Sequence, residues 1–211
     1  AVLIWVQAAG ALSQLTGVPS GDPRQLNFQL FEAAKKGRTQ DVALYLKHGA
    51  SIEARDRFGN TALLLAAFSG RTKTVKVLLD TGSVVNHQNL GGSTALLRAA
   101  KAGKRKSVKL LLDAGADIKV LNNKRLSPLA AAAFNGDEDT FRLLVDSGAD
   151  IDVTDNSGKS AIVYAAAKGF ADIVGVLLDK GIDVNKAYGN DLTALMWAAG
   201  HSNAVPPVDA I

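Results

Sequence analysis

Residues 56–88 read DRFGNTALLLAAFSGRTKTVKVLLDTGSVVNHQ, and this pattern returns every 33 residues along the chain. Three series of small residues keep the spacing without an insertion. They are the glycines from 37 to 169, the glycines from 49 to 181 and the alanines from 34 to 199. A fixed period of this length indicates one supersecondary unit that is copied and stacked. Stacked units build a long surface, so the period predicts binding of something large.

Each copy predicts two short helices. In residues 56–88 a turn at Gly59 leads to Thr61, which occupies a helix N-cap position. Apolar residues at i, i+3 and i+4 then predict helices over residues 62–69 and 74–80, and a glycine ends each of them. Paired alanines recur in the first helix and paired leucines in most second helices. The small side chains let the first helices approach closely, while the leucines fill the far side of the core.

Composition narrows the class of protein. Of the 211 residues, 47% are hydrophobic and only 6% are aromatic, which is typical of a globular core of aliphatic side chains. The net charge of +4 is too small to argue alone for a nucleic-acid partner. The absence of cysteine excludes disulfides and thiolate metal sites. No apolar run approaches the length of about 18 residues that a membrane-spanning helix needs.

The pattern resembles the ankyrin repeat, which reads roughly D-x-x-G-x-T-P-L-H-x-A-A, then a glycine, a V-x-x-L-L helix and G-A-D-V-N. Residues 59–63, 92–96 and 158–162 match its start, residues 127–129 keep its proline, and residues 115–118 and 148–152 match its end. The resemblance covers about residues 26–199. It implies an all-α solenoid of about six 33-residue helix-turn-helix units joined by β-turn or hairpin-like loops.

The expected domain division is a leader and linker over residues 1–25 and a repeat domain over residues 26–211. Residues 12–25 read as the linker, and residues 27–37 as the first helix of an atypical N-terminal repeat. Val205-Pro206-Pro207 cannot begin a second helix in the last repeat. We therefore expect a fragment of a longer array or a partner over the open end. The expected repeats are 26–55, 56–88, 89–121, 122–154, 155–187 and an incomplete 188–211.

The first eleven residues resemble the end of a signal peptide. Residues 1–6 are apolar, and Ala9-Gly10-Ala11 has the small-x-small pattern of a cleavage site, although a basic n-region is missing. This interpretation implies bacterial export and a periplasmic or secreted protein. The alternative is a leader helix that packs over the first repeat of a cytoplasmic protein.

The sequence departs from the ankyrin pattern in two places, and each departure predicts a local difference in structure. Its motif histidine is replaced by Leu64, Leu97, Ala130, Val163 and Met196, so we expect apolar packing in place of the hydrogen bonds that this histidine makes to neighbouring turns. In addition, Arg125 stands where the turn needs glycine. We therefore expect the turn of residues 122–125 to be distorted, with its asparagines tolerating left-handed geometry.

No pattern indicates catalysis. The three histidines occupy different phases of the repeat, so stacking does not align them as metal ligands. Residues 158–160 imitate the end of a phosphate-binding loop, but Val153 replaces the glycine that this loop requires. No serine or threonine stands in a nucleophile elbow. We expect no catalytic residue, no cofactor and no metal.

A basic run at residues 101–106, with Arg98 and Lys109 nearby, raises the possibility of nucleic-acid binding. Adding 33 to Lys104, Arg105 and Lys106 gives Asp137, Glu138 and Asp139. The favoured interpretation is therefore a neutral seam in which these triplets pair across repeats. Nucleic-acid binding would instead show a steep dependence on salt concentration.

The resemblance implies a concave binding face made of turn tips and the exposed sides of the first helices. Aromatic and arginine side chains dominate binding hot spots, so five aromatic rings are the preferred anchors, with partial burial as the alternative for Tyr164 and Trp197. The expected partner-binding residues are Arg57, Phe58, Asn60, Phe68, Leu90, Ser93, Arg98, Lys101, Asn123, Lys124, Leu126, Phe134, Asn156, Lys159, Tyr164, Lys168 and Trp197.

Three functions follow from this sequence. The leading hypothesis is a non-enzymatic module, monomeric unless its open end is covered, that binds another protein through the concave face. The second is a regulatory or targeting segment of a larger enzyme or transporter. The third and weakest is nucleic-acid binding through the basic run.

Overall fold

The computed structural model describes residues 22–201 of the chain. Eleven α-helices lie in this range, and helices account for most of it. They are α1 (Pro23–Lys36), α2 (Thr39–Lys47), α3 (Ala62–Phe68), α4 (Thr72–Asp80), α5 (Ala95–Lys101), α6 (Arg105–Asp113), α7 (Pro128–Asn135), α8 (Glu138–Asp146), α9 (Ala161–Lys168), α10 (Ala171–Asp179) and α11 (Ala194–His201). The signal-peptide prediction for residues 1–11 and the proline argument at residues 205–207 lie outside the described residues.

The helices form two parallel layers. The first helix of each unit packs on the first helices of its neighbours, so α1, α3, α5, α7, α9 and α11 follow one another. The second helices α2, α4, α6, α8 and α10 stack in the same way. The core lies between the layers, where alanines such as Ala99 and Ala132 face leucines such as Leu78 and Leu111, all fully buried. The predicted all-α solenoid is confirmed.

Between α10 and α11 the connection is a small hairpin. Strands β1 (Ala187–Tyr188) and β2 (Leu192–Thr193) pair antiparallel, with Ala187 opposite Thr193. A short 3₁₀ turn, Gly189–Asp191, joins them, and Asn190 and Asp191 both take positive φ there. The other inter-repeat connections have no such strands in the described residues.

The first helix begins earlier than the sequence predicts. Pro23 occupies the first turn of α1, where a backbone N–H has no partner within the helix, so proline loses no hydrogen bond there. The side chain of Asp22 caps the helix and accepts a hydrogen bond from Arg24 N at 2.9 Å. Residues 23–25 are therefore helical, which corrects their interpretation as linker. The remaining helix limits agree with the prediction to within about two residues.

The turn at Arg125 is not distorted, so the expectation from its sequence is wrong. Arg125 itself takes the left-handed conformation, with φ of 58°, that glycines take in the other turns. Its amide donates to Asn122 O at 2.8 Å, just as the Gly59 amide donates to Asp56 O at 2.9 Å. The neighbouring repeats fix the turn, so the arginine accepts an unfavourable backbone geometry.

Backbone hydrogen bonds join neighbouring turns even though the motif histidines are missing. Backbone amides supply them at three successive turns, from Leu90 to Phe58 O, from Asn123 to Gly91 O and from Asn156 to Lys124 O, at 3.0–3.1 Å. The expected apolar packing holds for four of the five replacements, which are at most 2% exposed. Met196 differs, since it is 54% exposed on α11.

Within residues 22–201 no helix combines the length and the hydrophobicity needed to cross a membrane.

Candidate interaction surface

Large apolar side chains are exposed on the surface formed by the turn tips and the outward sides of α3, α5, α7 and α9, which we call the first-helix face. Phe58 is 55% exposed, Phe68 44%, Leu90 74% and Phe134 44%. The rings of Phe68 and Phe134 project from the ends of α3 and α7, so regular helices fix their positions. The predicted anchors Phe58, Phe68 and Phe134 are therefore accessible to a partner.

A stacked pair joins the first two of these helices. The Arg98 guanidinium on α5 lies over the Phe68 ring on α3, with 4.5 Å between its central carbon and the ring centroid. Arg98 is half-buried, and its buried Nε has no hydrogen-bond partner. Burial lowers the pKa of Arg98, and the charge of Asp56 opposes this in part. The charge of Asp56 therefore offsets only part of the cost of burying the Arg98 guanidinium.

A second aromatic cluster lies one unit further along. The Phe134 ring meets the Tyr164 ring edge to face, with centroids 5.6 Å apart, and the Lys168 ammonium lies 5.0 Å from the Phe134 centroid. The Tyr164 hydroxyl donates a hydrogen bond to Asp155 in the preceding turn. The cluster thus ties α7 to α9 and α9 to its own turn.

The Tyr164–Asp155 hydrogen bond shifts both pKa values. Burial and the carboxylate acceptor raise the pKa of Tyr164 far above its usual range. Burial alone would raise the pKa of Asp155, but hydrogen bonds from Tyr164, Ser157 and backbone amides outweigh it and lower that pKa. Asp155 therefore stays ionised and holds the turn of residues 155–159 closed.

Two predicted partner-binding residues are buried. Asn60 is 4% exposed, because its side chain bonds to Asp56 and accepts from Asn89 Nδ2 at 2.8 Å. Trp197 is 9% exposed and lies beneath the Lys159 ammonium, 4.6 Å from its ring centroid. The expectation that Asn60 lies on the surface is wrong. For Trp197 the alternative of burial holds.

The remaining predicted residues lie on or beside the first-helix face. Asn123 and Asn156 are exposed, but each side chain donates to the backbone of the preceding turn, at 3.0 and 3.3 Å. Arg57 lies over the ring of its neighbour Phe58 at 4.7 Å. Lys101 and Lys124 are exposed, while Ser93 and Leu126 are partly buried.

Acidic side chains are unevenly divided between the two layers, a feature that the repeat motifs do not predict. Among the first helices only α1 carries an acidic residue, Glu32, whereas every second helix carries at least one. At the turn position of Asp56 and Asp155, the two turns between them have Asn89 and Asn122 instead. Comparison of equivalent positions across the 33-residue period would have shown this pattern.

The basic run does not form one patch. Arg98 and Lys101 lie on α5, in the first-helix layer, while Lys104, Arg105 and Lys106 begin α6 in the other layer. There they line a shallow groove of about 280 Å³ with Gly70 and Thr72. The run is therefore split between two surfaces.

The predicted pairing of the basic and acidic triplets is wrong. No ion pair joins them in the described part of the chain. Instead, Glu138 pairs with Arg142 at 2.7 Å within its own helix, and Asp137 accepts from the Thr140 amide at 2.8 Å as the N-cap of α8. Both acidic residues find closer partners in their own helix than the neighbouring repeat offers.

The histidines that the structure describes serve local structure. His48 Nδ1 lies 2.8 Å from Leu44 O, and His87 Nε2 lies 2.9 Å from Gly59 O in the preceding unit. Between Asp22 and His201, no three histidine, aspartate or glutamate side chains cluster closely enough to hold a metal ion.

Comparison with known proteins supports this architecture. The family model for ankyrin repeats in three copies matches residues 30–122, 99–188 and 129–206, which together span most of the chain. A search of curated protein sequences found no match. With the two helix layers, the hydrogen-bonded turns and this match together, the chain belongs to the ankyrin-repeat family.

Proposed function

We propose that this chain is a non-catalytic interaction module that binds a partner protein through the first-helix face. Ankyrin repeats generally mediate protein–protein interaction. The observation that carries the proposal is the exposure of Phe58, Phe68 and Phe134 on one face of a regular helical stack. Aromatic side chains bring a large apolar area to an interface and lose little conformational entropy when they are already held in place.

The surrounding polar groups support the same function. Arg57, Lys101 and Lys124 are exposed around the rings, as expected for the polar rim of a protein interface. The backbone hydrogen bonds between successive turns fix this surface before a partner arrives. A preformed surface loses less entropy on binding than a mobile one.

Removal of two rings tests the proposal. The Phe68→Ala/Phe134→Ala variant should lose its partner in an affinity capture from cell lysate that is read by mass spectrometry. Val84→Ala is the matched control, because Val84 is 54% exposed outside the turn tips and first helices. Circular dichroism should show unchanged helicity in both variants. Equal capture by the double variant and the control would contradict binding at this face.

The second hypothesis, a regulatory or targeting segment of a larger enzyme or transporter, stays a prediction, as do export and a monomeric state. A gene sequence that continues past Ile211 into an enzyme or transporter would support the second hypothesis. Fractionation of cells that express the tagged protein tests export. Analytical ultracentrifugation tests the monomer.

A further inference from the structure

We propose that the first-helix face selects an acidic polypeptide segment, with carboxylates that pair with the cations stacked on its aromatic rings. This inference rests on the proposed function and gives the partner a chemical class. It begins from the sign of the charge on the face. The ionised side chains that its helices α3, α5, α7 and α9 carry are Arg98, Lys101 and Lys168, all of them positive, and the turns beside these helices (56–60, 89–93, 122–126 and 155–159) carry four basic and two acidic residues.

The cations of this face form no ion pairs within the described residues. The six ion pairs found there lie elsewhere, in α1 and α2, along the second helices and between two loops. On the first-helix face, Arg57, Arg98, Lys159 and Lys168 lie instead over aromatic rings at 4.5–5.0 Å. A cation–π contact orients a cation and leaves its other side free to donate hydrogen bonds to a carboxylate.

Arg98 is the strongest position for such a pair. Its guanidinium is half-buried against Phe68, and its Nε donor is buried without a hydrogen-bond partner. The charge of Asp56 acts on Arg98, but its carboxylate accepts from Phe58 N and Asn60 N, and no ion pair joins it to Arg98 among the described residues. A carboxylate from a partner would meet a guanidinium that is already partly desolvated and fixed in direction, which favours a strong pair.

The same rings argue against a nucleic acid. Single-stranded nucleic acids stack their bases on open aromatic faces. Here a cation covers one face of Phe58, Phe68 and Phe134, and Phe134 also packs perpendicular to the Tyr164 ring. Trp197 is buried beneath Lys159. The carboxylates of an acidic polypeptide would pair with these cations, and its apolar side chains would contact the exposed parts of the rings. It therefore fits this surface better than a nucleic acid does.

The spacing of the units suggests the form of the segment. Neighbouring packed helices are about 8–10 Å apart, and an extended chain of the polyproline II type rises about 3.1 Å per residue and turns once in three residues. An extended segment that runs along the stack would therefore meet a new first helix about every third residue. We expect acidic side chains at about this interval, separated by apolar residues that contact Phe68 and Phe134.

The test uses a random peptide library displayed on phage and selected against the full chain. Enriched peptides should carry a net negative charge, and a synthetic copy should bind more weakly as salt concentration rises. Arg98→Gln and, separately, the exposed Lys168→Gln should each weaken this peptide, Arg98→Gln by about tenfold or more. Lys109→Gln is the matched control on the second-helix layer and should change affinity less than twofold.

Other outcomes separate this inference from the proposed function. Neutral or basic peptides that need Phe68 would overturn the acidic class and leave the proposed function standing. Peptides that bind equally well to the Phe68→Ala/Phe134→Ala variant would overturn both. A labelled single-stranded oligonucleotide that binds more tightly than any peptide, and is lost with Arg98→Gln, would replace the acidic segment with a nucleic acid.

Discussion

The two helix layers are built from the same repeat but differ in how closely neighbouring units meet. On the first-helix side the turns touch, and a Cβ added to Gly92 would lie 2.7 Å from Asn123 N in the next turn. On the second-helix side the loops meet through side chains, as where Asn86 Oδ1 accepts from Asp117 N at 2.8 Å, and a Cβ added to Gly115 would meet nothing within 4 Å. Both glycines have positive φ, 73° and 83°.

Polar contacts follow the same division. The first-helix side relies on backbone bonds between turns and on the part-buried bond from Tyr164 to Asp155. The second-helix side has exposed ion pairs one turn apart, such as Lys109–Asp113, and side-chain bonds between units, such as that between the Thr39 and Thr74 hydroxyls at 2.9 Å. We infer that register between repeats is set along the first-helix side. That side also carries the proposed binding surface.

The largest expected effect separates the two kinds of glycine. Gly92→Ala should lower the free energy of unfolding by about 2–5 kcal/mol, because strain at positive φ adds to a collision with the Asn123 backbone. Gly115→Ala should lower the free energy of unfolding by the backbone strain alone, about 1–2 kcal/mol. Urea denaturation of both variants measures the difference. Equal losses would remove the argument that the turns set the register.

An intermediate effect is expected from Tyr164→Phe, which keeps the ring packed on Phe134 and removes one hydrogen bond to Asp155. We expect a loss of about 0.5–1.5 kcal/mol near neutral pH. The lowered pKa of Asp155 makes its bond stabilising above the unfolded value of about 3.9, and this contribution disappears as pH falls through the folded pKa.

The raised pKa of Tyr164 limits the same bond at high pH. Its contribution is complete below the unfolded value of about 10 and is lost as pH rises through the folded pKa. The difference between wild type and Tyr164→Phe should therefore be largest between about pH 5 and pH 9. Denaturation curves across this range measure it, and a difference that persists unchanged at pH 2 would contradict the assignment of the bond to ionised Asp155.

The smallest effect is expected on the second-helix side. Lys109→Met removes an ion pair with 3.5 Å between Lys109 Nζ and Asp113 Oδ2, and its side chains are 67% and 58% exposed. Solvent screens such pairs, so the loss should stay below about 0.5 kcal/mol and shrink further in high salt. A loss as large as that of Tyr164→Phe would show that both layers stabilise the stack equally.

Most of the fold was predictable because its signals are local and repeated. The apolar spacing predicts the limits of α3 and α4 to within two residues, and Thr61 occupies the N-cap position of α3 as predicted, but its hydroxyl makes no capping hydrogen bond. The errors concern contacts between units. The period alone predicts that the acidic triplet pairs with the basic one. In the structure, Asp137 instead accepts from Thr140 N and Glu138 pairs with Arg142, both within α8.

The candidate surface was predictable in outline only. Residue type and phase identified Phe58, Phe68 and Phe134, which are exposed, but could not separate them from Trp197, which is buried. Asn60 looks like a surface residue in the sequence, since turns are usually polar and exposed. Its burial depends on Asn89 in the next turn, 29 residues away in the chain.

By itself, the sequence determined the 33-residue unit, its two helices and its stacking, because helix signals and glycine positions act over a few residues and are repeated in phase. Only the tertiary structure decided which turns touch, how Arg125 takes a glycine conformation and which cations lie over rings without a carboxylate. These features arise between neighbouring units, where packing and desolvation depend on side chains about 30 residues apart.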